Sequence, residues 1–264
     1  MKLVVLGACA DMAKPILPLL AAEDGVERVV LADIAEERVR ALAAGLGPRY
    51  EAVRTDATDP ASLASAVRGA GVVLGYVGPF YRFEAPIAEA CIGAGVHYVS
   101  IADDYDAYLA VSALHDRARA AGVTVVTGLG NSPGLTNLLA KKGYRSMDRP
   151  DRIHIAWTGG SDESVGPANV LHVMHIFEGE TLQWRDGREV RVRCGAGEKE
   201  VVFPEPIGRQ TVFYTGHAES VSVPRNLPGL SDVSLHGGVR PVWVARLATA
   251  FGRLGLTTTP ARRR

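Results

Sequence analysis

The chain has 264 residues, with Lys+Arg 29 and Asp+Glu 29, so its formal net charge is zero. That balance speaks against a nucleic-acid or membrane-surface binder, which carries a broad basic excess, and a hydrophobic share of 47% excludes wholesale disorder. A chain of this size buries roughly three quarters of its unfolded surface and needs no staple to hold a core.

No apolar run approaches the ~20 residues that cross a bilayer, and Met1-Lys2 runs through a short apolar segment straight into a glycine turn. Cys9, Cys91 and Cys194 are widely spaced and form neither a metal pattern nor a disulfide framework. The expectation is a cytoplasmic protein without a metal, a membrane segment or a nucleic-acid partner.

Strands are predicted at residues 2–6, 28–32, 51–55 (the weakest), 72–76, 96–99 and 123–127, each short and valine-rich as in a sheet buried on both faces. Helices are predicted between them at 13–23, 35–45, 60–69, 84–94 and 106–121. Asp59-Pro60 supplies an N-cap followed by proline at the first helical position. Gly95 and Gly122 stand where helices end. This alternation means βαβ units and a mostly parallel sheet over residues 1–130. Beyond about residue 145 the texture changes. Strands are predicted at 152–158, at 181–193 as a hairpin turning at Asp186-Gly187, and near 199–203, 210–215, 219–223 and 231–236. Helices are predicted at 133–142, 167–178 and 241–254. The fold class expected is α/β, a doubly wound parallel sheet followed over 131–245 by an α+β domain with a mainly antiparallel sheet. Residues 246–264 read as an Arg-rich tail ending Arg262-Arg263-Arg264.

The turn after the first strand reads Gly7-Ala8-Cys9-Ala10-Asp11-Met12-Ala13. A glycine there lets backbone approach a pyrophosphate, and a following helix aims its N–H groups at the phosphates. Ala10 and Ala13 hold the later small-residue positions. Asp33 ends the second strand 20 residues beyond Ala13, where a carboxylate accepts bonds from the adenosine ribose diol and repels a 2′-phosphate. No arginine follows immediately (Ile34-Ala35-Glu36), so NAD is expected over NADP; the alternative for Asp33 is a cap on the next helix. Asp56-Ala57, after the third strand, is placed at the adenine, and Val77-Gly78-Pro79, after the fourth, at the nicotinamide ribose or in a simple tight turn.

Together the stretches VVLGACADMAKPILPLL, VVLADI, VVLGYVGPFYRFEAPIAEACIGAGVHYVSIADD, GVTVVTGLGNSPGLTNLLA and GPANVLHVMHIFEG resemble the saccharopine dehydrogenase-like family, nearest the lysine 6-dehydrogenase and saccharopine reductase branch. The resemblance implies a Rossmann domain, a substrate domain on an antiparallel sheet, a homodimer, and NAD(P)-linked oxidation of an amino acid's C–N bond or reduction of the matching imine. On this sequence it places the cofactor at Gly7, Ala10, Asp33, Asp56, Gly78 and Pro79.

Amine oxidation needs a base with a pKa near working pH and a clamp for the substrate carboxylate, for which arginine has the best geometry. Asp103 and Asp104, just after the fifth strand, are the candidate base; paired acids share a proton and raise one pKa. They serve equally as caps of the next helix. His97 and Tyr98 read as packed residues. Phe80 is assigned to substrate. Asn131-Ser132-Pro133 opens a helix in a segment matching the family and is assigned to substrate or to a cap and hinge. His172, His175 and Glu178 share one helical face, read as a wet face near substrate, with a metal stripe as the alternative. His217 is assigned a polar contact and Arg225 the clamp, against plain surface placement.

Two rival readings have their own signatures. A short-chain-type reductase needs Tyr-x-x-x-Lys, and none of the eight tyrosines has lysine four residues later. A non-catalytic NAD-binding sensor is the other, set apart by binding without turnover.

Overall fold

The structure is a computed structural model that describes residues 1–161 and 166–256. It divides into two compact units. One holds Met1–Ala102 and Ala107–Gly130; the other holds Asp103–Asp106 and the chain from Asn131 onward.

In the first unit, strands β1 (Lys2–Leu6), β2 (Arg28–Asp33), β3 (Tyr50–Arg54), β4 (Val72–Gly75), β5 (His97–Ser100) and β6 (Val125–Val126) form one parallel sheet in the order β3-β2-β1-β4-β5-β6. That is the doubly wound dinucleotide-binding order. Successive side chains of a strand face opposite ways, and β1 shows it. Leu3 and Val5 enter one apolar cluster with Leu17, Val29, Leu31, Val39 and Tyr50. Val4 and Leu6 enter another with Leu63, Val67, Val73, Ile87 and Cys91.

The helices covering the sheet include α2 (Glu36–Leu46), α3 (Pro60–Val67) and α4 (Phe80–Gly93). Asp59 caps α3 by accepting the Ala61 N–H at 2.9 Å, as its Asp-Pro start predicts. The helix predicted over 13–23 is a run of turns that closes into only one helical turn, α1 (Leu17–Leu20). Pro15 and Pro18 bring no N–H to an i−4 bond, and the segment uses i−3 bonds such as Ala13 N–H to Ala10 O at 3.0 Å and Ile16 N–H to Ala13 O at 3.1 Å. Helix α4 starts at Phe80, four residues before its predicted start, because Pro79 stands at the N-cap. The predicted 106–121 helix is two, α5 (Tyr105–Ser112) and α6 (His115–Ala120).

In the second unit, α7 (Leu135–Arg145), β7 (Arg152–Gly160), α8 (Pro167–Ile176), β8 (Glu180–Arg185), β9 (Arg188–Arg193), β10 (Lys199–Val202), β11 (Arg209–Tyr214), α9 (Glu219–Asn226), β12 (Asp232–Arg240) and α10 (Val242–Arg253) follow in order. The sheet runs β10-β11-β12-β8-β9, mainly antiparallel, with β7 parallel to β12 along its whole length. The β8–β9 hairpin turns at Asp186 (φ 50) and Gly187 (φ 71), the two left-handed positions of a two-residue turn. Residues 219–223 are helical where a strand is predicted. Glu219-Ser220-Val221-Ser222-Val223 alternates like a strand, but all five are buried, so the alternation separates no inner from outer face. The predicted tail begins inside the fold, since Ala248 and Thr249 of α10 are buried. Residues 257–264, Arg262 to Arg264 among them, lie outside the described residues.

Along β12, Val233 and Leu235 pack with Ile155, Val223 and Leu227, and Val239 packs with Ile176, Phe177, Phe213 and Ala245. Between the pairings Val233–Trp184 with β8 and His236–Tyr214 with β11, the Leu235 N–H is taken by the side chain of Gln183 at 2.8 Å. Among the described residues no helix is long and apolar enough to cross a membrane.

Candidate functional site

The first unit gathers the predicted nucleotide residues at the carboxyl ends of its strands. Gly7 has φ +76, and a Cβ on it would stand 2.7 Å from the Tyr76 carbonyl carbon and 2.9 Å from Val77 N. Only glycine fits, so the first turn lies against the end of β4, where Val77, Gly78 and Pro79 follow. Asp33 is held at the same edge. One of its carboxylate oxygens accepts the Cys9 N–H at 2.9 Å and the other the Ala35 N–H at 3.0 Å. Each oxygen keeps a second lone pair for a ribose hydroxyl. The second bond closes a local turn just ahead of α2.

Asp33 O accepts the Thr55 N–H at 2.9 Å, which brings Asp56-Ala57 alongside. The Asp56 carboxylate closes a local turn with Thr58, whose hydroxyl and N–H hold its pKa low. Ala8 and Ala13 are buried, Asp11 and Met12 exposed, and Lys14 bonds Asp11 at 2.7 Å. Burial, and then Asp33, raise the Cys9 thiol pKa, so Cys9 is a packed residue. The glycine cradle and the ribose-side carboxylate fit a nicotinamide dinucleotide. The helix N-terminus expected to face the phosphates is replaced by the Pro15–Pro18 turns, which leave backbone amides of the turn itself for that task.

Behind the strand ends lies a buried acid that the sequence reading missed. Glu84 of α4 is 1% exposed and accepts bonds from Tyr98 at 2.8 Å, Thr127 at 2.9 Å and Ser100. Gly75 makes room for the Tyr98 hydroxyl, which would lie 2.2 Å from a Cβ there. Burial, with the Glu84 charge adding, raises Tyr98 well above its ordinary pKa. Tyr98 is thus a packed residue, as expected. His97, next to it, is exposed and accepts the Thr124 N–H at 2.9 Å.

The second unit builds a polar cluster from four distant segments. Residues Asp103–Asp106 are fastened by a bridge between Asp104 and His217 and by Tyr105 N–H to Gly216 O at 3.0 Å. The His172 ring lies between the two acids, Nδ1 at 3.0 Å from Asp104 and Nε2 at 3.3 Å from Asp103. One turn on, His175 meets Asp106 at 3.1 Å. Both rings of the α8 face are therefore enclosed and paired, which corrects the reading of a wet face; Glu178 lies beyond the helix end.

His217 is 4% exposed, stacks on Trp157 at 4.8 Å and lies 5.3 Å from the His172 ring. Its Nδ1 is 3.3 Å from Ser132 Oγ, which donates its proton to Glu219 Oε1, so the bond assigns the Nδ1–H tautomer to His217. His217 Nε2, Glu219 Oε2 and Asp103 Oδ1 are buried without a partner among the described residues. Thr136 adds a bond of 2.8 Å to Glu219. Gly237 admits the Trp157 ring, which would lie 2.3 Å from a Cβ.

The electrostatics follow from this wiring. Burial pushes the Asp103 pKa up to about 7, with Asp104 adding and His172 opposing. Burial works against charge on His172, but Asp103 and Asp104 outweigh it and raise its pKa to about 9. Burial and the neighbouring His172 charge hold His217 well below its usual pKa, so it is neutral. Burial raises Glu219 against the pull of the Ser132 and Thr136 hydroxyls. The arrangement is an acid–base cluster, with a carboxyl that changes charge near neutrality beside an imidazolium.

Of the predicted substrate residues, Ser132 and His217 enter this cluster with Asp103 and Asp104. Pro133 is buried next to Ser132, and Asn131 is exposed, its carbonyl receiving the Thr136 N–H at 3.1 Å. Phe80 opens α4 in the first unit. Arg225, expected as the clamp, is half-exposed and makes a surface ion pair with Glu189 at 3.1 Å, away from the polar contacts of this cluster. The sequence reading also missed Trp157 and the role of Glu219. For Glu219 its place beside His217 in Gly216-His217-Ala218-Glu219 was the available signal.

The family profile described as the saccharopine dehydrogenase NADP binding domain matches residues 3–126. A trans-acting enoyl reductase of Mycobacterium leprae (strain TN) is 29% identical over 149 residues, 55% of this chain and 36% of that protein. One of Mycobacterium ulcerans (strain Agy99) is 36% identical over 85 residues, 31% of this chain and 20% of that protein. The chain thus spans about a third or less of these relatives. Apo histidine-tagged saccharopine dehydrogenase (L-Glu forming) from Saccharomyces cerevisiae shares the fold, with TM-score 0.67 and 20% identity over 98% of this chain and 59% of that one. Residues 3–126 thus carry the nicotinamide-nucleotide-binding domain of the saccharopine dehydrogenase family, and the chain as a whole has the fold seen in the yeast enzyme.

Proposed function

We propose that the chain is a nicotinamide-dependent oxidoreductase acting on the C–N bond of an amino acid, by amine oxidation or imine reduction. The observation that carries the redox reading is the Gly7 cradle against Tyr76–Val77 with Asp33 tied beside it. A bound nicotinamide accepts or supplies the hydride. Gly7, Ala8, Cys9 and Ala10 would hold its diphosphate, Asp33 its adenosine ribose and Val77-Gly78-Pro79 the nicotinamide side. Asp33 places a fixed negative charge where a 2′-phosphate would come, which supports NAD over NADP, although the matching profile is named for NADP.

Asp103 is the proposed proton acceptor. Its Oδ1 has no partner among the described residues, and burial raises its pKa to about 7, where it changes state at neutral pH. His172, held by Asp104, keeps the positive charge that makes a second acid beside Asp103 tolerable. Charge supports the C–N reading: Asp103, Asp104 and Glu219 form an acidic environment suited to an ammonium or iminium group. A second reading, reduction of an activated C=C bond, is favoured by the names of the mycobacterial relatives.

The test is absorbance-followed turnover. NAD is offered with a panel of amino acids including lysine and saccharopine, and NADH with amine plus keto acid or with an unsaturated acyl ester. Turnover of an amine or imine supports the proposal, and turnover of the acyl ester alone supports the second reading. Nucleotide binding with no turnover leaves the sensor.

A further inference from the structure

Outside the nucleotide site, the second unit carries the wiring of a metal centre. Asp103, His172 and His217 each bring one oxygen or nitrogen within 4.8 Å of the other two. Imidazole ligands have a recognisable support: the near nitrogen faces the ion, and the far one bonds an oxygen that fixes tautomer and ring. Both histidines have it. His172 Nδ1 is held by Asp104 at 3.0 Å while Nε2 faces Asp103. His217 Nδ1 is held by Ser132 at 3.3 Å, and its Nε2 lone pair is buried with no partner among the described residues. Asp103 Oδ1 is equally unpaired.

We propose that Asp103, His172 and His217 form a binding site for a divalent transition-metal ion, with Asp104 and Ser132 orienting the two imidazoles. Two imidazoles and one carboxylate suit zinc and its first-row neighbours and disfavour calcium and magnesium, which take all-oxygen sets. Zinc–nitrogen bonds near 2.1 Å put donors about 3.4 Å apart in a tetrahedron. The Asp103–His172 separation of 3.3 Å already matches, and the His217 donor lies within 4.8 Å of the other two. Three protein ligands leave one position open, as in sites that act on a bound molecule. The ligands come from three separate segments, so no sequence spacing announces them; the His172–His175 stripe divides, His175 going to Asp106. The inference goes beyond the redox reading and needs neither nucleotide nor substrate; a bound ion takes the place of the proton on His172 and of the proton-accepting role given above to Asp103.

The competing occupant is a proton on His172, and calorimetry separates the two. Full-length chain is stripped with a chelator, dialysed and titrated with zinc chloride. One ion per chain at micromolar affinity or better is expected. His172→Gln and His217→Gln should each weaken binding roughly 100-fold or more, and Asp104→Asn about 10–100-fold. His115→Ala, an exposed histidine of α6, should change nothing. Melting curves establish that the variants fold. Should a histidine variant fail to melt cooperatively, the zinc-induced rise in melting temperature, expected in the native chain and lost in Asp103→Asn, replaces it. No saturable binding below millimolar zinc, or equal affinity in the native chain and His217→Gln, overturns the proposal and leaves the proton as sole occupant.

Discussion

Asp33 is the residue on which the proposed preference for NAD rests. Its two bonds to Cys9 and Ala35 leave it no freedom to turn away from an approaching phosphate. Hydrogen bonds to a charged group contribute ~1.5–3 kcal/mol, so Asp33→Ala is expected to shift the NADPH-to-NADH affinity ratio about 10–100-fold toward NADPH, measured by calorimetry with each nucleotide. His236 is a second residue with a stated expectation. Burial, then Lys199, His154 and Arg185, depress its pKa from 6.5 to about 4. Between those values the unfolded chain binds a proton that the folded chain refuses. Stability therefore falls as pH drops through this window, by about 2 kcal/mol at pH 5 from this residue. Denaturant melts at pH 7 and pH 5 should show that much less acid sensitivity in His236→Phe; equal sensitivity would count against a buried neutral ring. Asp103 and Asp104 stood out in the sequence as an acidic pair because they follow β5. Their partner His172 was not, since a helical face seen alone does not reveal that two carboxylates from sixty-odd residues earlier close over it.

At the scale of elements, legibility tracked how local the determining physics is. The parallel strands, the Asp59-Pro60 start of α3 and the Asp186-Gly187 hairpin follow from propensity and turn chemistry within a few residues, and all appear in the structure. The first helix failed because its alanine and leucine spacing was weighed above two prolines. The 219–223 helix failed because alternation informs only when one side is wet. The parallel pairing of β7 with β12 joins residues 80 apart and leaves no local trace. Gln183 marks where such long-range pairing is mended. Its side chain takes the Leu235 N–H that neither neighbouring strand reaches. Gln183→Leu should cost about 1–3 kcal/mol for the orphaned donor, a fall in melting temperature of roughly 2–4 °C per kcal/mol in a chain this long. A melting temperature within one degree of native, about the size of experimental scatter, would mean another acceptor reaches that N–H.

At the scale of the molecule, the two units divide the chemistry. The first carries the nucleotide cradle, built from strand ends that a regular βαβ pattern places on one edge. The second carries the acid–base cluster, whose members Asp103, His172, Ser132 and His217 are assembled only by tertiary folding. A ligand that binds only the folded chain at a hundred times its dissociation constant stabilises it by about 2.7 kcal/mol, so NADH should raise the melting temperature by several degrees. The most direct measurement is calorimetric titration of NADH into the native chain and into Gly7→Ala, where the added Cβ would meet Tyr76 at 2.7 Å. Saturable binding of one NADH per native chain, weakened at least about tenfold in a folded Gly7→Ala variant, is the predicted result. No binding to the native chain at millimolar NADH, or undiminished binding to the variant, would contradict it.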